Sequence, residues 1–193
     1  ILPDGMTAQL TYAPRMGAGI VNDKASSGDT AVSGSGYDIT ISHAGLMDGL
    51  NVFAGRHVSE QPAENAASTT TGDKTQYVYG ATYAIGSVTL GYQYSRDNQQ
   101  SSAGAATSYY ENNAFGVSFN VNDNLSLSYG NHSSDRALTN ASSVELEAES
   151  LQLAYTMGGM SIKIAESSVD NGSYTSGSSK DKDGRTIALT LAF

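Results

Sequence analysis

The sequence predicts an all-β chain, an antiparallel up-and-down transmembrane β-barrel of about ten strands, forming one domain over residues 1–193. Three observations predict it. Apolar side chains alternate with small or polar ones in segment after segment, the connections between segments are short and long by turns, and the aromatic rings gather in two bands. Residues 184–193 are the plainest case: Ile187, Leu189, Leu191 and Phe193 share one parity, and Thr186, Ala188, Thr190 and Ala192 the other. One greasy face and one small or polar face suit a wall with lipid on one side and water on the other. An edge strand of a β-sandwich alternates in the same way, so the rest of the chain has to separate the two.

Composition narrows the classes. The chain carries 21 Gly, 12 Tyr, no Trp and no Cys, with a net charge of −9. That charge argues against nucleic-acid binding, which needs a basic footprint. Without Cys there is no disulfide scaffold or thiolate metal site, and no metal or cofactor is expected. No run approaches the roughly 18 apolar residues of a membrane-spanning helix. Mean hydropathy is −0.29, a value that looks soluble because alternating strands average their two faces. No charged-then-apolar leader opens the chain, and Ile1 in place of Met suggests a mature or truncated form.

Taken in order, Met6–Ala13 sets Ala8, Leu10 and Tyr12 against Thr7, Gln9 and Thr11, and a long Gly/Ser/Asp connection follows over 14–36. Residues 37–43 alternate Tyr37, Ile39 and Ile41 with Asp38, Thr40 and Ser42, and 44–49 form a Gly/Asp turn. Leu50–Ser59 turns Leu50, Val52 and Ala54 outward, with Phe53 and Arg56 blurring the pattern. After a polar connection over 60–75, residues 76–84 align Tyr77, Tyr79, Ala81 and Tyr83. Ile85-Gly86 is the expected hairpin turn into 87–95, where Val88, Leu90, Tyr92 and Tyr94 face outward. Residues 96–108 read as a loop. Phe115, Val117, Phe119 and Val121 mark a strand over 109–121, which turns through 122–124 into 125–131, with Leu125, Leu127 and Tyr129. Residues 132–143 read as another loop before 144–157, with Leu151, Leu153, Tyr155 and Met157 outward. Gly158-Gly159 leads into 160–167, with Met160, Ile162 and Ile164, and 168–183 is the last long connection.

Every second connection is therefore long, as in outer-membrane barrels with short periplasmic turns and long outside loops. With the last strand running down to the periplasm, all the long loops fall outside and both termini lie in the periplasm. Tyr12, Tyr37, Tyr77, Tyr79, Tyr92, Tyr94 and Tyr129 then gather near the outer strand ends, and Tyr83, Phe119, Tyr155 and Phe193 near the inner ends. Two girdles at two interfaces suit amphipathic rings.

The inward parity is small, neutral and hydrophilic, with Gln9, Thr40, Gln76, Gln93 and Gln152 among many Ser, Thr and Gly. Lys163 and Asp38 are its only clear mid-strand charges, and Arg15 and His57 are candidates for the vestibule. A barrel of eight or ten strands is plugged by its own side chains and needs large, mutually satisfied groups inside. Ser, Thr, Gln and Gly suit a water-filled lumen and a wider barrel instead.

These features resemble the C-terminal portion of a general bacterial porin of the α-proteobacterial type. The resemblance rests on the terminal Phe193, on the hairpin pairing residues 78–83 with 89–94, and on the hairpin pairing 113–118 with 125–129. Phe193 is similar to the C-terminal aromatic signature that barrel-assembly machinery reads. The resemblance implies a barrel of about 16 strands and a homotrimer in outer-membrane lipid and lipopolysaccharide. It also implies passive diffusion of small hydrophilic solutes, with no chemical step. About six further strands would precede this chain, including an acidic constriction loop, and 1–5 would be a periplasmic turn. The alternative is a complete ten-stranded barrel acting as an adhesin through its long loops.

Other motifs are weak. Glu145, Glu147 and Glu149 share a face above the apolar band, where they read as a solvated rim or as ligands for divalent ions bridging lipopolysaccharide. Asp181-Lys182-Asp183-Gly184 lacks the downstream Glu of a calcium loop, and Gly34-Ser35-Gly36 precedes a strand where a nucleotide loop precedes a helix. His132 with Asp135 invites comparison with ten-stranded outer-membrane proteases, but the second Asp pair is not recognisable.

Overall fold

The structure is a computed structural model and describes residues 2–14, 35–60, 72–101 and 106–192. The strands are β1 (Met6–Ala13), β2 (Gly36–Ala44), β3 (Leu50–Ser59), β4 (Lys74–Ile85), β5 (Val88–Asn98), β6 (Thr107–Asn120), β7 (Leu125–Leu138), β8 (Ala141–Met157), β9 (Met160–Asp170) and β10 (Lys182–Leu191). They form one antiparallel sheet in chain order, so each strand pairs with the next and β1 and β10 are its margins. No helix among the described residues is long and apolar enough to cross a membrane, which says nothing of strands that do.

Local chemistry sets the turns at one end. Gly86 takes φ +58 as the first of the two residues between Ile85 and its partner Val88, a sign that only glycine adopts freely. The turn is therefore Gly86-Ser87, one residue later than expected, and Ile85 belongs to β4. Gly158-Gly159 repeats the device between Met157 and Met160. In the 121–124 turn the Asn122 side-chain oxygen accepts the amide N–H groups of Asn124 at 2.9 Å and Leu125 at 3.0 Å. That local bond is why Asn favours turns.

The other end departs from expectation. The loop expected over 132–143 is a hairpin: β7 runs on to Leu138, Thr139-Asn140 turn, and β8 starts at Ala141. The loop expected over 96–108 is likewise shortened, because Arg96, Asp97 and Asn98 continue β5 and Thr107 and Ser108 open β6. β9 also runs past Ser167 to Asp170. The ladder continues in these stretches while both faces carry polar side chains, so the alternation that marks a strand disappears although its backbone pairing does not.

Register defines two faces, since directly paired residues point the same way. The apolar face carries Leu10, Ile39, Tyr79, Leu90, Phe115, Leu127, Leu151, Ile164 and Leu189, all exposed. Val58 is the single buried hydrophobic residue among those described, and among them the sheet has no core of its own and no second sheet covers it. Phe53 and Arg56 divide between the faces. Arg56 lies on the apolar face between Ile39 and Tyr77, while Phe53 lies on the opposite one, beside Gly80.

The apolar stretch runs obliquely across the strands. Pairing carried across from Leu10, the middle of that stretch in β1, reaches Asp135 in β7. Pairing carried back from Leu189, its middle in β10, reaches Leu125 in β7. Leu125 and Asp135 stand ten residues apart, accumulated over nine strand-to-strand steps. At about 3.4 Å per residue and about 4.8 Å between strands, the band lies at about 38° from the perpendicular to the strands. The aromatic rings follow the same slope. Tyr12 is opposite Tyr37, the rings of Tyr79 and Tyr94 stack with centroids 5.0 Å apart, and Phe115 meets Tyr129 at 6.4 Å. Tyr83, Phe119 and Tyr155 form a parallel line at the short-turn side.

Candidate functional site

The polar face is the candidate site. Asp38, His57 and Gln76 pair in one row across β2, β3 and β4, and Gln9 is opposite Thr40 in the row beside it. Asp38, Thr40, His57, Gln76 and Gln93 line one concavity of ≈ 430 Å³, together with Ser95, Asp97 and Asn112. Five of the residues picked out from the sequence thus meet in one place. Gln152 lies apart, opposite Ser128 and Ala165, with its amide donating to Ser150 Oγ at 3.3 Å. Lys163 is exposed on the same face between Ala154 and Ala188, near the short-turn end. It and Asp38 stand seven strands apart in the sheet order, β9 against β2, and do not touch. Arg15 and Phe193 lie outside the described residues.

Asp38 and Lys163 are not the only charges on this face. Asp97, which follows Gln93 and Ser95 in the same parity, is opposite Gln76, and its carboxylate lies 3.6 Å from the Lys74 ammonium. Arg136 is opposite Tyr110 in β6, and Lys182 is opposite Val169 in β9. Reading 96–108 and 132–143 as loops hid Asp97 and Arg136; carrying the parity of Ser95 two residues further, and that of Ser128 eight residues further, finds them. The polar face of the described strands therefore holds two acids, Asp38 and Asp97, against four bases, Lys74, Arg136, Lys163 and Lys182.

The acid of the chain collects on the other face, toward the long-connection end. Glu111, Asp135, Glu145, Glu147, Glu149, Glu166, Asp170 and Asp183 share the parity of the apolar residues and continue beyond them. Hydrogen bonds answer several of them. Tyr129 donates to Glu149 at 2.7 Å and Asn131 to Glu147 at 2.9 Å, Arg96 lies 3.2 Å from Glu111, and Arg185 pairs with Glu166. The Arg96 guanidinium also covers the Tyr109 ring at 3.8 Å. His132 lies on the polar face and Asp135 on the acidic one, so they are not a catalytic pair. Among the described residues no group of three or more His, Cys, Asp or Glu could hold a metal ion.

The fold and its faces define a class: an all-β chain in one up-and-down antiparallel sheet, with one apolar face that none of the described residues covers and one hydrophilic face. The chain matches no protein-family model, and no curated protein matches it.

Proposed function

We propose that the chain is wall of an outer-membrane porin, a water-filled channel through which small hydrophilic solutes and ions diffuse passively. The oblique apolar band carries this reading. A membrane slab cutting a barrel meets strands tilted by about 35–45°, so the lipid-facing stretch must climb the sheet from strand to strand at that slope. A water-soluble sandwich puts its apolar faces against a second sheet and has no cause to run two aromatic lines along its edges. β1 and β10 do not pair in the observed strand order, as expected of one section of a larger barrel. Tyr12, Tyr37, Tyr77, Tyr79, Tyr92, Tyr94 and Tyr129 act as the outer girdle, and Tyr83, Tyr155 and Phe193 as the inner one. Homotrimer formation, contact with lipopolysaccharide and recognition of Phe193 by barrel-assembly machinery belong to the same proposal.

The polar face then borders the lumen, and its balance of charge biases the ions that pass. Despite the chain's net charge of −9, bases outnumber acids there, so the wall favours anions weakly. Single-channel recording of the native, full-length protein in a planar bilayer tests the reading. Large ohmic steps whose ion preference moves toward cations in Lys163→Glu are the expected result. A correctly folded protein that conducts nothing would overturn it in favour of the adhesin reading.

A further inference from the structure

The connection between β9 and β10 lies against the polar face. Gly172 N–H donates to the Lys180 carbonyl at 3.2 Å, and Lys180 N–H to that of Gly177 at 2.8 Å. The Asp181 carboxylate accepts the Asn171 N–H at 3.0 Å, and the Asn171 amide donates to the Glu145 carbonyl at 2.9 Å. Asn171, Ser173 and Tyr174 all take positive φ, at 54°, 63° and 56°. Asn visits that conformation readily, but Ser173 and Tyr174 hold it only where their surroundings support it.

Tyr174 supplies the surroundings. Its hydroxyl lies 2.8 Å from Ser134 Oγ, which itself donates to Asn112 Oδ1 at 2.5 Å and is 2% exposed. Its ring centroid is 5.5 Å from that of Tyr110 and 5.0 Å from the Arg136 guanidinium carbon, and Arg136 donates to the Tyr174 carbonyl oxygen at 3.3 Å. Tyr110, Asn112, Ser134 and Arg136 all belong to the polar face of β6 and β7. A tilted ring–ring contact, a cation over the ring and two hydrogen bonds hold the loop down on that face.

We propose that Tyr174 is a bore-narrowing and selectivity-determining residue, seating residues 171–181 as a fixed inward arm that covers the cation of Arg136. The proposal rests on the porin reading. Removing the ring opens the lumen at the long-connection end and returns the Arg136 charge to the water that ions cross.

The test is single-channel recording of the full-length protein carrying Tyr174→Ala, Tyr174→Phe and the double change Tyr174→Ala with Arg136→Ala. Heat-modifiable electrophoretic migration checks that each variant is folded. Tyr174→Ala should show a larger unitary conductance and a shift of ion preference toward anions, while Tyr174→Phe, which keeps the ring, stays near the parent. The double variant should keep the larger conductance and lose the anion shift, a separation that mere loosening of the barrel would not produce. Unchanged conductance in folded Tyr174→Ala overturns the arm and leaves the porin reading standing. If Tyr174→Ala fails to fold, Arg136→Ala alone decides: a conductance equal to the parent's, with no change in ion preference, overturns the proposal. A silent parent overturns the porin reading and the arm with it.

Discussion

Gly80 is opposite Phe53 on the polar face, and a Cβ there would sit 2.6 Å from the Phe53 ring and 2.4 Å from the Tyr92 carbonyl oxygen. The ring takes the space that a side chain at position 80 would need. Gly80→Ala should therefore destabilise the sheet by about 1–3 kcal/mol through overpacking, read as a lower urea midpoint of the protein folded in lipid. Phe53→Ala in the same chain should recover part of that loss, and a strictly additive pair would mean that the ring is not the obstacle. Asn122→Ala removes the acceptor for two turn amides and should lower stability by about 1 kcal/mol in the same titration. The Lys74–Asp97 pair is partly exposed, so Asp97→Asn should hardly change stability; if the polar face borders a channel, the effect shows in ion preference, shifted further toward anions.

At the scale of the strand, the two parities of β10 make opposite predictions for the same substitution. Leu189 belongs to the apolar band and Ala188 beside it to the polar face opposite Lys163. Leu189→Lys should cost about 2–4 kcal/mol if that face meets the bilayer midplane, and Ala188→Lys much less. Equal losses at both positions, measured by urea titration in vesicles, would remove the assignment of the faces. The β7–β8 hairpin shows why strands were legible only in part. Between Leu125 and Tyr129 apolar and polar residues alternate, so the two faces of the strand differ and the period of two is plain. Beyond Asn131, His132, Ser133, Ser134, Asp135 and Arg136 put polar groups on both faces of β7, so nothing in the pattern separates a paired strand from a loop. Asp97 and Arg136 were missed among the charges of the polar face for the same reason, whereas Asp38 sits where alternation is strong.

For the whole molecule, the exposed Ile187, Leu189 and Leu191, at 67%, 60% and 51%, belong to an extended apolar surface of the kind that marks a protein-binding or membrane-facing site. The protein should stay monodisperse in detergent and aggregate when the detergent is removed, followed by light scattering; stable monodispersity without detergent would favour a soluble sheet protein. Alternation along each strand, the parity of Lys163 and Asp38 and the glycine turns at 86 and 158 could all be read from the chain, because each depends on neighbours a few residues apart. The slope of the apolar band, the concavity that gathers Asp38, His57, Gln76 and Asp97, and the seating of Tyr174 over Arg136 depend on register between strands far apart in sequence. Pairing of backbones sets that register, and a one-residue slip would move every side chain to the other face. The sequence by itself determined which side chains share a strand face; only the tertiary structure decided which of them meet across strands, because that choice is made by long-range hydrogen bonding that no local pattern records.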